Sequence, residues 1–226
     1  MPRTQSEQLF EQFCARKRIR FKRVAVGPNR TPDYDVFLPR RKVVVEVKEI
    51  TPNAEEKAAE VAARMGQYAV VSLTPGERIR RKIGDASAQI KARTRRRCPG
   101  MLVLYEDGLL PRHIDSYQVR VAMYGLETIV FAVPASPRVA PYPMARRYGP
   151  RRKMTPTDNK TISAIALLSS AHHGPVELTV FHNTHANVPL PPSLLRRYGV
   201  RQYKLAAAQL GTIANWEEVA GDEPAP

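Results

Sequence analysis

Hydrophobic positions along this chain follow two periods, and the switches between them mark the elements. Leu9, Phe10, Phe13 and Cys14 recur at helical spacing behind Thr4, which stands three residues before Glu7 as in a capping box. Residues 5–17 therefore read as an amphipathic helix. Strands are predicted at Arg20–Val26, Asp33–Leu38 and Lys42–Ile50, with a turn at Gly27–Arg30. The short Pro39-Arg40-Arg41 link makes the last two strands an antiparallel hairpin. Asn53 and Glu56 have cap spacing and open a helix over 53–65, and Gln67–Leu73 reads as a strand. Thr74-Pro75-Gly76-Glu77 has the form of a second capping box with proline at the first helical position. The helix it opens runs to about Arg93, with Ile79, Ile83, Ala86 and Ile90 on one side. Gly100–Tyr105, Val119–Met123 and Thr128–Val133 read as strands. Residues 134–158, rich in proline and arginine, read as a long basic loop. Thr161–Leu168 and Glu177–His182 read as strands, followed by a short helix around 191–198 and a final one near 205–220.

This order is that of an α/β protein with a mixed β-sheet flanked by helices. It divides into an α/β core over 1–133, the basic loop over 134–158, and a C-terminal β-rich extension over 159–226 packed on the core.

Charge sharpens the picture. The 226 residues hold 36 Lys+Arg against 21 Asp+Glu, a formal net charge of +15. Such a surplus points to a polyanionic partner, with nucleic acid ahead of an anionic membrane surface or an acidic protein. At 43% hydrophobic content there is enough apolar surface for a real core. No apolar run is long enough to span a bilayer, and the N-terminus lacks the apolar stretch of a signal peptide. Cys14 and Cys98 lie far apart without a CxxC pattern, which fits free thiols in a reducing cytosol and a cytoplasmic location. The sequon-like Asn159-Lys160-Thr161 then has no consequence. The sequence contains no GxGxxG, P-loop, helix-turn-helix or zinc-finger signature.

The segment that suggests chemistry is PDYDV, nine intervening residues, then EVK. Side chains alternate across a strand, so Glu46 and Lys48 share one face while Val45 and Val47 take the other, and Asp33 and Asp35 share a face of the preceding strand. Pairing of the two strands brings carboxylates and a lysine onto one patch. Carboxylate oxygens suit hard cations such as Mg²⁺ or Mn²⁺. Such an ion polarises a phosphate and lowers the pKa of a bound water.

Pro32-Asp33…Glu46-Val47-Lys48 resembles the signature of the PD-(D/E)XK nuclease superfamily, which includes restriction endonucleases and archaeal Holliday-junction resolvases. The resemblance covers about residues 5–105. It implies a restriction-endonuclease-like core and a metal-dependent nuclease that hydrolyses phosphodiester bonds, with DNA ahead of RNA as substrate. By it, Asp33 and Glu46 are metal ligands, the Val47 main-chain carbonyl is a further ligand, and Lys48 is the catalytic lysine. Glu7 is an auxiliary acid on the first helix, and a homodimer would serve double-strand cleavage. Gln89 is the candidate for the glutamine that some branches carry on the helix after the motif. The helix and strand inserted between Glu49 and Glu77 depart from the pattern and put Gln89 in doubt. The segment SAIALLSS…VFHNTHANVPLP resembles a branch with this core, without indicating any chemistry.

Each reading has a plainer rival. An ordinary hairpin with a surface Glu/Lys pair explains PD…EVK, and Asp35 competes with Asp33 as ligand or acts beside it. Glu7 is already used by its capping box, Glu11 reads as a solvated helix residue, and Gln89 as surface or edge of core. His172, His173, His182 and His185 have the density of a zinc site but no nearby cysteine, and they read as hydrogen-bonded structure at a strand end. Asn183 and His185 could line the same cleft. Arg80, Arg81, Lys82, Arg95, Arg96, Arg146, Arg147, Arg151, Arg152 and Lys153 are read as phosphate contacts. A nucleic-acid-binding protein with a vestigial nuclease core is the alternative to an active enzyme.

Overall fold

The computed structural model describes residues 3–25, 31–72, 74–95, 97–106, 114–136, 138–170, 174–206 and 214–219, leaving aside the Arg146 side chain. The predicted turn at Gly27–Arg30 and residues Arg96, His172 and His173 lie outside that set.

The first helix, α1 (Gln5–Arg16), begins with both halves of its capping box made: Thr4 accepts from the Glu7 N–H at 3.2 Å, and Glu7 accepts from the Thr4 N–H at 2.8 Å. It is followed by β1 (Arg20–Arg23), β2 (Tyr34–Leu38) and β3 (Arg41–Ile50), then α2 (Ala54–Arg64) with a capping box from Asn53 and Glu56. Next come α3 (Glu77–Thr94), β4 (Gly100–Glu106), α4 (Ser116–Tyr124), β5 (Glu127–Ala132) and β6 (Tyr142–Tyr148). The chain continues through β7 (Ile162–Ser170), β8 (Val176–His182), α5 (Ser193–Arg196), β9 (Arg201–Leu205) and β10 (Trp216–Glu218).

Eight strands form one mixed sheet in the order β1-β2-β3-β4-β7-β8-β9-β10, parallel at β3–β4, β4–β7 and β8–β9 and antiparallel elsewhere. Period-two alternation sends each strand's side chains to two cores. Val43, Val45, Val47, Val103, Ala166 and Val180 meet Phe10 and Phe13 of α1. On the opposite face Leu102, Leu104, Ile165 and Phe181 meet Ile79, Ile83 and Ile90 of α3 and Val119 and Met123 of α4. The result is an α/β sheet with helices on both faces. No helix among the described residues is long and apolar enough to cross a membrane.

Several local expectations are corrected. Gln67–Ser72 forms no strand: both edges of β3 are taken by β2 and β4, and Tyr68 and Val70 stand in solvent. Thr74–Glu77 forms no capping box. Gly76 is the cap residue, in the left-handed region at φ 70, and a Cβ there would lie 2.7 Å from the Ala122 backbone nitrogen, so only glycine admits α4 this close. Val119–Met123 is helix, not strand: Asp115 caps it by accepting from the Gln118 N–H at 2.8 Å, and packing on α3 overrides its β-branched composition. Within 134–158 the expected loop contains β6, antiparallel to β5, with Pro143 next to the register shift, where a missing N–H is tolerated. Of the predicted helix near 205–220, residues 207–213 and 220 lie outside the described set; at its two ends Leu205 closes β9 and Trp216–Glu218 form β10, with the Ala206 N–H donating to the Asn215 carbonyl and Trp216 packed 4.8 Å from the Phe181 ring. β7 lies inside the sheet beside β4, so the strands after Asp158 continue the sheet of the first half of the chain.

Candidate active site

The hairpin builds the site. A two-residue link, Pro39-Arg40, with Arg40 at φ 57, sets the register Tyr34↔Val45 and Asp35↔Val44. One step past the last ladder pair, Asp33 meets the part of β3 that β2 no longer covers. Its Oδ2 accepts from the Val47 N–H at 2.8 Å, standing in for a ladder partner. A residue's N–H and C=O point to the same edge of a strand, so the Val47 carbonyl is directed to the side where Asp33 sits.

Glu46 is fully buried, and Lys48 Nζ lies 2.5 Å from its Oε1. That contact is an ion pair. Among the described residues neither Glu46 oxygen has a hydrogen bond of good geometry. Burial, reinforced by the Asp33 charge, pushes the Glu46 carboxyl up to about 7, while Lys48 and the Asp33 N–H draw it back. Asp33 is also pushed up by burial. The Val47 N–H and the Lys48 charge oppose this, and the Glu7 charge adds to it. The Asp33 charge thus makes Glu46 harder to ionise, whereas Glu46 draws Asp33 down against its burial.

Glu7 reaches the site by its field. Its Oε2 accepts from the Thr4 N–H, and its Oε1 accepts from Arg23 at 3.0 Å. Both oxygens of the expected auxiliary acid are thus engaged, one by the capping box that rivalled the catalytic reading. Asp35 shares the face of Asp33 but is already engaged: Arg93 of α3 binds it through two hydrogen bonds, at 3.2 and 2.5 Å, and Lys42 lies 3.7 Å away. Gln89, one helical turn before Arg93, is buried and donates to the Thr31 carbonyl at 3.0 Å, which fixes the chain two residues before Asp33. Glu11 is not solvated, since it accepts from the Tyr34 hydroxyl at 3.0 Å and pairs with Arg3 at 3.2 Å. Arg23 and Arg93 were missed as site neighbours. The spacing of Gln89 and Arg93 on one helix stripe was the available signal for Arg93.

Among the described residues no three His, Cys, Asp or Glu side chains gather as a metal cage. A two-carboxylate site nevertheless fits a hard cation that keeps most of its waters. The lack of well-formed hydrogen bonds to the buried Glu46 oxygens, and the burial that raises both Glu46 and Asp33, are what such a cation would relieve.

The basic residues fall into separate places. Arg80 is buried against the α3 N-terminus, close enough to Arg151 to feel its charge. Arg81 is exposed and pairs with Glu77 at 2.6 Å. Lys82 joins Arg78, Glu56 and Asp85 around a cavity of about 490 Å³ at the end of β3. Arg95 is exposed at the far end of α3. Arg147, Arg151 and Arg152 are exposed on or just after β6, Arg146 lies in that strand, and the Lys153 N–H donates to the Ala122 carbonyl.

His182 is structural: it is buried, hydrogen-bonded to Gln202 at 3.0 Å, and pushed down to about 4 by burial. Asn183 donates to the Ile162 carbonyl and accepts from the His185 N–H. The two residues cap the end of β8, three strands from Glu46, and do not line its cleft. Comparison with protein-family models, curated proteins and solved structures gives no match for this chain.

Proposed function

We propose that this chain is a metal-dependent nuclease with a restriction-endonuclease-like core, hydrolysing phosphodiester bonds in DNA. One observation carries the reading: Asp33 and Glu46 face each other at the open end of the hairpin, with Lys48 on the same face. Asp33, Glu46 and the Val47 carbonyl are the groups that would hold Mg²⁺ or Mn²⁺. When bound, the ion would supply Lewis-acid polarisation of the phosphate and a water of lowered pKa. The chain's own residues do the rest. Asp33 is oriented by the Val47 N–H. Lys48, about a quarter exposed, keeps a cation at the mouth of the site to orient a water or a phosphate oxygen. Gln89 and Arg93 tie α3 to the strand that carries Asp33.

The test is a cleavage assay on circular, linear and branched DNA with Mg²⁺ or Mn²⁺, beside EDTA controls and Lys48→Ala. Metal-dependent cleavage that falls at least 100-fold in Lys48→Ala supports the proposal; equal inertness of both proteins removes it. A second reading, a non-catalytic nucleic-acid-binding protein, is favoured by the Lys48–Glu46 contact, which already neutralises the buried carboxylate without a metal. It predicts salt-sensitive binding, no cleavage, and no heat of binding with Mg²⁺. One site per chain means that double-strand cleavage would engage two copies.

A further inference from the structure

The β5–β6 ribbon stands apart from the sheet. Among the helices and strands, its two members make their substantial contacts with each other, and the Gly149 N–H to Leu126 carbonyl bond closes its base at 2.7 Å. A lone two-stranded ribbon is marginal in water and usually hides its apolar side chains against something. Here Phe131, Tyr142 and Met144 are 50%, 54% and 60% exposed, with Val133 and Val139 also in solvent. An apolar surface of this kind marks a place where a partner sits. Its charge identifies the partner. From Thr128 to Thr157 the chain carries six Lys or Arg and no Asp or Glu. Arg138 and Arg147 are exposed on the ribbon, and Arg151 and Arg152 continue the cationic track past its base toward Arg80 and His185.

We propose that the β5–β6 ribbon enters the major groove of duplex DNA, its arginines on the phosphates and its apolar side chains against the base edges. The dimensions agree. Two strands about 4.8 Å apart, with their side chains, make a rod on the order of 10 Å across and about 20 Å long. The B-form major groove, about 12 Å wide, admits a two-stranded ribbon and offers thymine methyls to apolar groups. The A-form major groove of RNA is too narrow and deep for it. A second copy of this chain is disfavoured as occupant, because it would bring the same cationic strip against itself. The inference rests on the nucleic-acid reading above and deepens it by naming the substrate as duplex DNA.

The experiment is equilibrium binding in EDTA, where cleavage does not intervene, to a duplex DNA, the matching single strand and the matching duplex RNA. The duplex DNA is expected to bind at least tenfold tighter than either alternative. Arg138→Ala with Arg147→Ala should weaken it about tenfold or more and reduce the slope of log affinity against log salt by about 2. The double Lys variant should restore that slope. Phe131→Ser with Met144→Ser should weaken binding at unchanged slope, with the main unfolding transition of the sheet in place. Equal affinity for the three nucleic acids, or wild-type binding by the ribbon variants, overturns the proposal. So does a change of oligomeric state in those variants with DNA binding intact. A protein that never cleaves but shows the expected pattern loses the nuclease reading alone. One that cleaves while its ribbon variants bind normally loses this inference alone.

Discussion

Replacing Glu46 by glutamine keeps the shape of the side chain and removes its titration, so it isolates the cost of ionising a carboxyl in the core. In the folded protein that carboxyl holds its proton up to about 7, against an ordinary value of 4.5. At roughly 1.4 kcal/mol per tenfold change, the difference corresponds to about 3 kcal/mol. The sign follows from proton counting. Between pH 4.5 and about 7 the folded state binds more protons than the unfolded chain, so stability falls as pH rises through that window. Below it there is no penalty, and above it the penalty is complete. Glu46→Gln stands permanently in the neutral form and should therefore be more stable than wild type at pH 8 and nearly equal to it at pH 4.5. The attraction of Lys48 for the ionised carboxylate is already contained in the value of about 7, so nothing further is subtracted for its loss. A gain of about 3 kcal/mol corresponds to a rise in Tm of about 6–12 °C for a chain of this size. Thermal unfolding at pH 4.5, 6, 7 and 8 in EDTA measures it. Adding Mg²⁺ should stabilise the wild type more at pH 8 than at pH 5 and leave the variant unmoved, since the cation and the proton compete for one carboxylate. A variant that is no more stable than wild type at pH 8, with an unflattened pH profile, would refute the burial argument.

Other elements of the site give independent tests. Arg93→Ala leaves the Asp35 carboxylate buried without its bidentate partner and should cost about 3 kcal/mol by denaturant unfolding, much of it recovered by adding Asp35→Asn. Arg23→Ala removes the cation that holds Glu7 Oε1, so the Glu7 charge bears more fully on Asp33; calorimetric titration should show divalent binding several-fold tighter than wild type. Thr4→Ala breaks the α1 capping box and should cost about 1 kcal/mol of stability. Burial and the Glu11 charge push the Cys14 thiol up to about 12, so in the native protein at pH 8 a thiol reagent should modify Cys98 well before Cys14.

The parts of the fold that were legible are those in which one local period decides the outcome. Thr4 and Asn53 cap helices, the Ile79–Ile90 series faces the core, and a two-residue link pairs β2 with β3, each within about a dozen residues. The failures share the opposite property. Val119–Met123 reads as strand by composition, and it becomes helix because Asp115 caps it and Gly76, over forty residues earlier, leaves room for Ala122. The final helix was expected to begin near Leu205, yet the described chain through Leu205 is strand because β9 lies parallel to β8, a pairing that no local pattern encodes. The proline count of 134–158 suggested loop, but a two-stranded ribbon has a free edge on each side and accepts Pro143 at its irregularity.

At the site the same limit appears within three residues. Asp33 and Asp35 are chemically identical and share a face of one strand, so Asp35 stood as the alternative to Asp33, or its companion, as ligand. Arg93 separates them. It binds the Asp35 carboxylate through two hydrogen bonds and leaves Asp33 to face Glu46, where burial raises both carboxyls and the Asp33 charge raises Glu46 further. A carboxylate held by a guanidinium is satisfied and has little to gain from a divalent cation, whereas neighbouring carboxyls raised by burial have much to gain. The sequence supplies both aspartates, and the partner each one meets in the fold decides which can act as a ligand.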